Sequence, residues 1–86
     1  MISKGKFEMA VHSKIGFLTN YYKIKHKIST EQAYIYVRNT GIVDILNNKD
    51  SRLYLESPEF LIYAIEKYNN EGRDAMIDFL ESNIGG

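Results

Sequence analysis

Ser57-Pro58-Glu59-Phe60-Leu61-Ile62-Tyr63-Ala64-Ile65-Glu66-Lys67-Tyr68 is the most apolar run of the chain and has its clearest helix start. Ser57 is a good N-cap, because its hydroxyl can accept from an orphan backbone N–H of the first turn. Pro58 falls at the first helical position, where its missing N–H costs nothing. Glu59 puts a negative charge at the positive end of the helix dipole. Phe60, Leu61, Ala64, Ile65 and Tyr68 then recur at helical spacing, and Ile62 and Tyr63 widen the apolar surface beyond that stripe. A helix apolar around most of its circumference is expected at the centre of a bundle.

Working back from this segment, a long helix is expected from Lys4 to His26. Phe7, Val11, Ile15, Leu18 and Tyr22 lie four, four, three and four residues apart and so share one face. Ala10, Phe17 and Tyr21 thicken that face. Gly16 weakens the helix by up to about 1 kcal/mol relative to alanine, and is read as a point of close helix packing. Ser29 and Gln32 form the ends of a capping box, which opens a second helix using Ala33, Tyr34, Tyr36 and Val37. Gly41 supplies the left-handed residue that ends it. Ile42–Leu46 gives a short third helix, and residues 47–51 are a turn. Arg52–Glu56 is too short to assign by periodicity: it is either extended or a helical turn that drops Leu53 and Leu55 into the core. Beyond the breaker cluster at residues 69–72, residues 73–81 resume a helical pattern. The chain is expected to be an all-α, compact bundle of four to five helices, with residues 1–86 forming one domain.

Composition limits the function. At 86 residues the chain can bury roughly 60–65% of its unfolded surface, enough for one core. It has no cysteine, which removes disulfides and thiolate metal sites and suits a cytoplasmic protein. The first residues lack a signal peptide's apolar run, and no apolar segment approaches the ~20 residues of a membrane span. Net charge is zero but unevenly spread. Residues 1–49 carry eight Lys/Arg against three Asp/Glu, and residues 50–86 carry three against eight. The halves either face one another and cancel, or are displayed on opposite sides.

Motifs for catalysis are lacking. His12 and His26 lie about 21 Å apart along one helix and cannot share a metal. Glu8, four residues before His12, makes a surface pair rather than a dyad. Asp74 and Asp78 share a helix face without calcium-loop spacing. The glycines form no phosphate loop. The reading is therefore not an enzyme, with no cofactor and no metal.

Two binding classes stay open. Seven tyrosines are many for this length, and tyrosine's apolar body and polar tip suit interfaces. Adjacent Tyr21 and Tyr22 cannot both point inward, so aromatic surface is expected outside. Tyr21, Tyr22, Tyr34, Tyr36 and Tyr54 are the candidate contacts for another protein, or for a second copy in a homodimer. The alternative is a nucleic-acid-binding regulator using the basic patch Lys23, Lys25, His26 and Lys27. Four basic groups at one helix end are not the long basic face of DNA binders. A helix-turn-helix outline at residues 29–46 has a short, apolar second helix carrying Asp44.

The aromatic helix ending in Tyr21-Tyr22, Ile28-Ser29 opening a new helix, Gly41-Ile42-x-Asp44-x-Leu46, and the aliphatic-aromatic helix ending at Tyr68 together resemble a family. It is a family of small uncharacterised bacterial helical proteins (a domain of unknown function), and the likeness covers about residues 17–68. Some of its members are encoded beside toxin-like genes. The resemblance implies an all-helical fold and an accessory, antitoxin-like role beside a toxin.

Overall fold

A computed structural model describes residues 3–83. Its elements are α1 (Lys4–His26), α2 (Thr30–Asn39), α3 (Ile42–Asn47), two 3-10 turns (Lys49–Ser51 and Leu53–Leu55), α4 (Pro58–Glu71) and α5 (Arg73–Asn83). The all-α bundle of four to five helices expected from the sequence is present, with five α-helices among the described residues.

Each boundary has a local cause. The Ser3 hydroxyl caps α1 by accepting from the Lys6 N–H at 3.3 Å. The helix ends where Lys27 turns left-handed at φ 54 and the Ile28 N–H donates to the Lys23 carbonyl at 3.1 Å, the pattern usually closed by glycine. At α2 the capping box is complete: the Gln32 N–H donates to Ser29 Oγ at 3.1 Å, and the Ser29 N–H donates to Gln32 Oε1 at 3.1 Å. Gly41 then adopts φ 91, a backbone conformation costly for other residues. Buried Thr40 ties this corner together: its hydroxyl donates to the Val37 carbonyl at 2.7 Å and accepts from the Ile42 N–H at 3.2 Å. Ser57 caps α4 through the Phe60 N–H at 3.2 Å. The four residues 69–72 do not break the chain as a cluster. α4 continues through Glu71, and the break comes at Gly72 alone, with φ 95.

The segment before α4 is neither extended nor helical in the way expected. Leu53–Leu55 forms a 3-10 turn that buries Leu53 and Tyr54 and leaves Leu55 outside. A 3-10 turn has three residues per turn, so three consecutive side chains point in three directions and the two leucines separate. Phe7 meets Tyr54 edge-on at 4.9 Å, and Lys14 Nζ donates to the Tyr54 carbonyl at 3.2 Å. These contacts seat the turn on α1.

The hub of the bundle is α1, not the helix opened by Ser57. α1 packs against α2, α3, α4 and the second 3-10 turn, whereas α4 packs chiefly against α5 and on one side against α1. α4 buries Leu61, Ala64 and Ile65 but turns Tyr63 outward. Apolar residues around its whole circumference therefore did not make it central. Phe60 stacks on Phe79 at 5.1 Å and joins α4 to α5. α1 contributes Val11, Leu18 and Tyr22 to the buried core.

Two residues of α1 pack less well than their neighbours. Gly16 does not mark close packing within the fold: a Cβ placed there meets nothing within 4 Å. Gly16→Ala is expected to stabilise the protein by about 0.5–1 kcal/mol, read by urea unfolding, because only the helix penalty of glycine is removed. The Thr19 hydroxyl is buried with no hydrogen-bond partner among the described residues. Thr19→Val, which keeps the shape and deletes the unpaired group, is expected to be neutral or to stabilise by up to about 1 kcal/mol. A clear loss of stability on that change would show that the hydroxyl is paired.

Candidate interaction surface

The polar centre of the molecule is Glu66 on α4. Tyr22 Oη donates to its Oε2 at 2.7 Å, Lys25 Nζ approaches the same oxygen at 3.3 Å, and Asn69 Nδ2 donates to it at 3.3 Å. The Tyr22 hydroxyl's bond holds the carboxyl below its usual range; partial burial opposes this and Lys25 assists it. Burial pushes the Tyr22 phenol well above its ordinary value, and the bond to ionised Glu66 adds to the effect. Tyr36 is also raised, chiefly by burial, against a bond from Asn69 that lowers it. His26 stacks on the Tyr22 ring at 5.5 Å, and Tyr36 packs on it at 4.9 Å. The arrangement keeps the phenol neutral and the carboxylate charged. It is a lock between α1 and α4, and it joins the basic half of the chain to the acidic half.

This lock accounts for much of what the sequence suggested as binding residues. Tyr22 is fully buried and Tyr54 nearly so. They are core side chains, and the expectation that they contact a partner is corrected. Their rings fill space between elements, and the Tyr22 hydroxyl finds its acceptor inside the protein. Tyr21 and Tyr36 are half-buried, with Tyr21 edge-on to Tyr22 at 5.0 Å. Tyr34 is exposed. Lys23, Lys25, His26 and Lys27 all reach solvent, and two of the four have contacts within the fold. Lys25 is committed to Glu66 and lies over the Tyr21 and Tyr22 rings at 5.8 and 5.7 Å, and His26 is stacked on Tyr22. The supposed recognition helix, α3, is six residues long and buries Ile42, Val43 and Leu46.

Of the seven large apolar side chains exposed among the described residues, three lie together on the outward side of α1, and the others are Tyr34, Ile35, Leu55 and Tyr63. Met9 is 72% exposed, Phe17 42% and Ile24 67%. At 100° per residue, Met9, Ser13, Gly16, Phe17, Asn20 and Ile24 fall within about 100° of arc, opposite the core-facing stripe. At its C-terminal end this face deepens into a groove of about 260 Å³ lined by Phe17, Asn20, Tyr21, Ile24 and Lys25. Tyr63 on α4, at 68%, is the most exposed tyrosine. Phe17, expected to thicken the core-facing stripe, instead faces outward with Met9 and Ile24, because its place around the helix is closer to theirs than to that of Val11, Leu18 and Tyr22.

No family model, no curated protein and no solved structure matches this chain. Among the described residues, no helix is long and apolar enough to cross a membrane. Nor do three His, Cys, Asp or Glu side chains gather there in a way that could hold a metal ion.

Proposed function

We propose that this protein is a small interaction module that works by presenting α1 to another protein. The observation that carries the reading is the outward position of Met9, Phe17 and Ile24. Solvent-facing apolar side chains on one helix face, flanked by charge, are what helix-mediated recognition uses. Tyr21 and Tyr34 stay among the candidate contacts, because both reach the surface. The resemblance to a family with members beside toxin-like genes supports an antitoxin-like role in the cytoplasm, and self-association is a version of the same reading. Nucleic-acid binding has less support, since Lys25 and His26 are engaged within the fold.

The test is recovery of a tagged chain from its native host, together with sedimentation velocity. A stoichiometric partner or a dimer is expected, lost on the double change Phe17→Glu and Ile24→Glu with stability within about 1 kcal/mol of the original. A strict monomer that recovers no protein would remove the reading. Binding to duplex DNA that falls steeply with salt would replace it with the nucleic-acid reading.

A further inference from the structure

We infer that the outer face of α1 receives an acidic amphipathic helix from a different protein, with the partner's apolar side chains seated on Met9, Phe17 and Ile24. The inference rests on the interaction reading and specifies its partner.

Geometry supplies the first reason. Met9, Phe17 and Ile24 are eight and seven residues apart, about two helical turns each, and span about 22 Å. That spacing matches a helix laid lengthwise, whose own anchors recur every two turns. The line between them is not continuous hydrocarbon. Ser13, Gly16 and Asn20 occupy its middle, and the space beyond Gly16 is open. Ser13 and Gly16 are small enough to let a second helix backbone come close, whereas a lipid surface calls for an apolar face, and polar Ser13 and Asn20 interrupt it here.

Charge chooses between partners. Of the five lysines of α1, Lys14 and Lys25 are engaged within the fold, with the Tyr54 carbonyl and Glu66. Lys6 lies on the apolar face, one turn before Met9, and Lys23 lies at its edge, both exposed. A two-fold pairing of α1 with its copy would set lysines against lysines, which is unfavourable. A head-to-tail pairing would set α1 on the acidic half of a second copy. Among the described residues, the large apolar side chains exposed there are Leu55 and Tyr63, too few to match three anchors along 22 Å. Such a contact would also propagate without closing. An acidic partner helix meets both requirements.

The experiment titrates the full chain, by fluorescence anisotropy, into two synthetic helical peptides of about 18 residues. Both carry leucine on one face; one has glutamates flanking it, the other lysines. The acidic peptide is expected to bind at least about tenfold tighter than the basic one, and to weaken several-fold between about 50 and 300 mM salt. The double change Phe17→Glu and Ile24→Glu should abolish binding, and Tyr63→Glu should leave it unchanged. Lys6→Glu with Lys23→Glu spares the apolar anchors and should shift preference toward the basic peptide. Equal binding of the two peptides, or binding to vesicles of anionic lipid with none to the acidic peptide, would overturn the inference. A dimer dissolved by the Phe17 and Ile24 changes would also overturn it, while leaving the interaction reading in place. A monomer that binds neither peptide nor any cellular protein would sink both.

Discussion

Leu18→Ala is expected to lower the unfolding free energy by about 3–4 kcal/mol. Leu18 is fully buried, at the middle of the helix that touches most of the other elements. Its truncation removes transfer free energy and leaves a cavity that several helices would have to move to close. A small domain has a total stability of about 5–15 kcal/mol, usually near the low end, so the loss is a large fraction of the whole. The neighbouring Phe17→Ala should cost only about 1 kcal/mol, because the ring already faces water on one side. Urea unfolding of the two variants side by side reads the difference. Equal losses would mean that α1 is rotated from the orientation described.

The second large effect is expected at Glu66. Glu66→Ala leaves the buried Tyr22 hydroxyl without its acceptor, and should cost about 2 kcal/mol. Tyr22→Phe should cost less, about 1 kcal/mol, because Glu66 keeps Lys25 and Asn69 and is partly solvated. The two losses should fall short of additivity by at least about 0.5 kcal/mol in the double variant, as expected for side chains in one network. The same pair sets two pH limits. Glu66 has a lowered folded-state pKa, so its contribution is fully present above the ordinary carboxyl value of 4.5 and is lost as pH falls through the folded value. Tyr22 has a raised one, so its contribution is complete below its ordinary 10.0 and is lost as pH rises beyond it. Tyr22→Phe should flatten the alkaline limb and soften the acid limb of a stability–pH curve. An unchanged alkaline limb would mean that Tyr22 is not what ionises there.

What the sequence could reveal depended on whether the signal was local. The Ser29–Gln32 box, the Ser57-Pro58 start and Gly41 fix helix ends through contacts three or four residues long, and all were legible. The 3-10 turn at Leu53–Leu55 was not, because it is held by Phe7 and Lys14, some forty residues distant in sequence. The hub is hidden in the sequence for a related reason. The run from Phe60 to Ile65 is the most apolar, but centrality comes from length, and α1, with 23 residues, reaches across more of the bundle. The site followed the same rule. Tyrosine count pointed to aromatic surface, but the number of tyrosines does not say which ones find partners inside. Glu66, forty-four residues beyond Tyr22, accepts the hydroxyl that would otherwise have demanded solvent. Phe17 and Ile24 were legible as apolar, yet only the packed fold shows that α2, α3 and α4 occupy the other side of α1.

The most direct test of the claim that the outer side of α1 is the docking face is amide chemical-shift mapping on the isotopically labelled full chain, titrated with the acidic helical peptide. The largest shifts are expected to run along Met9, Gly16, Phe17, Asn20 and Ile24, with α5 little changed. Shifts centred instead on the second groove, between α3 and α5 at Ile45, Ile77 and Leu80, would contradict it.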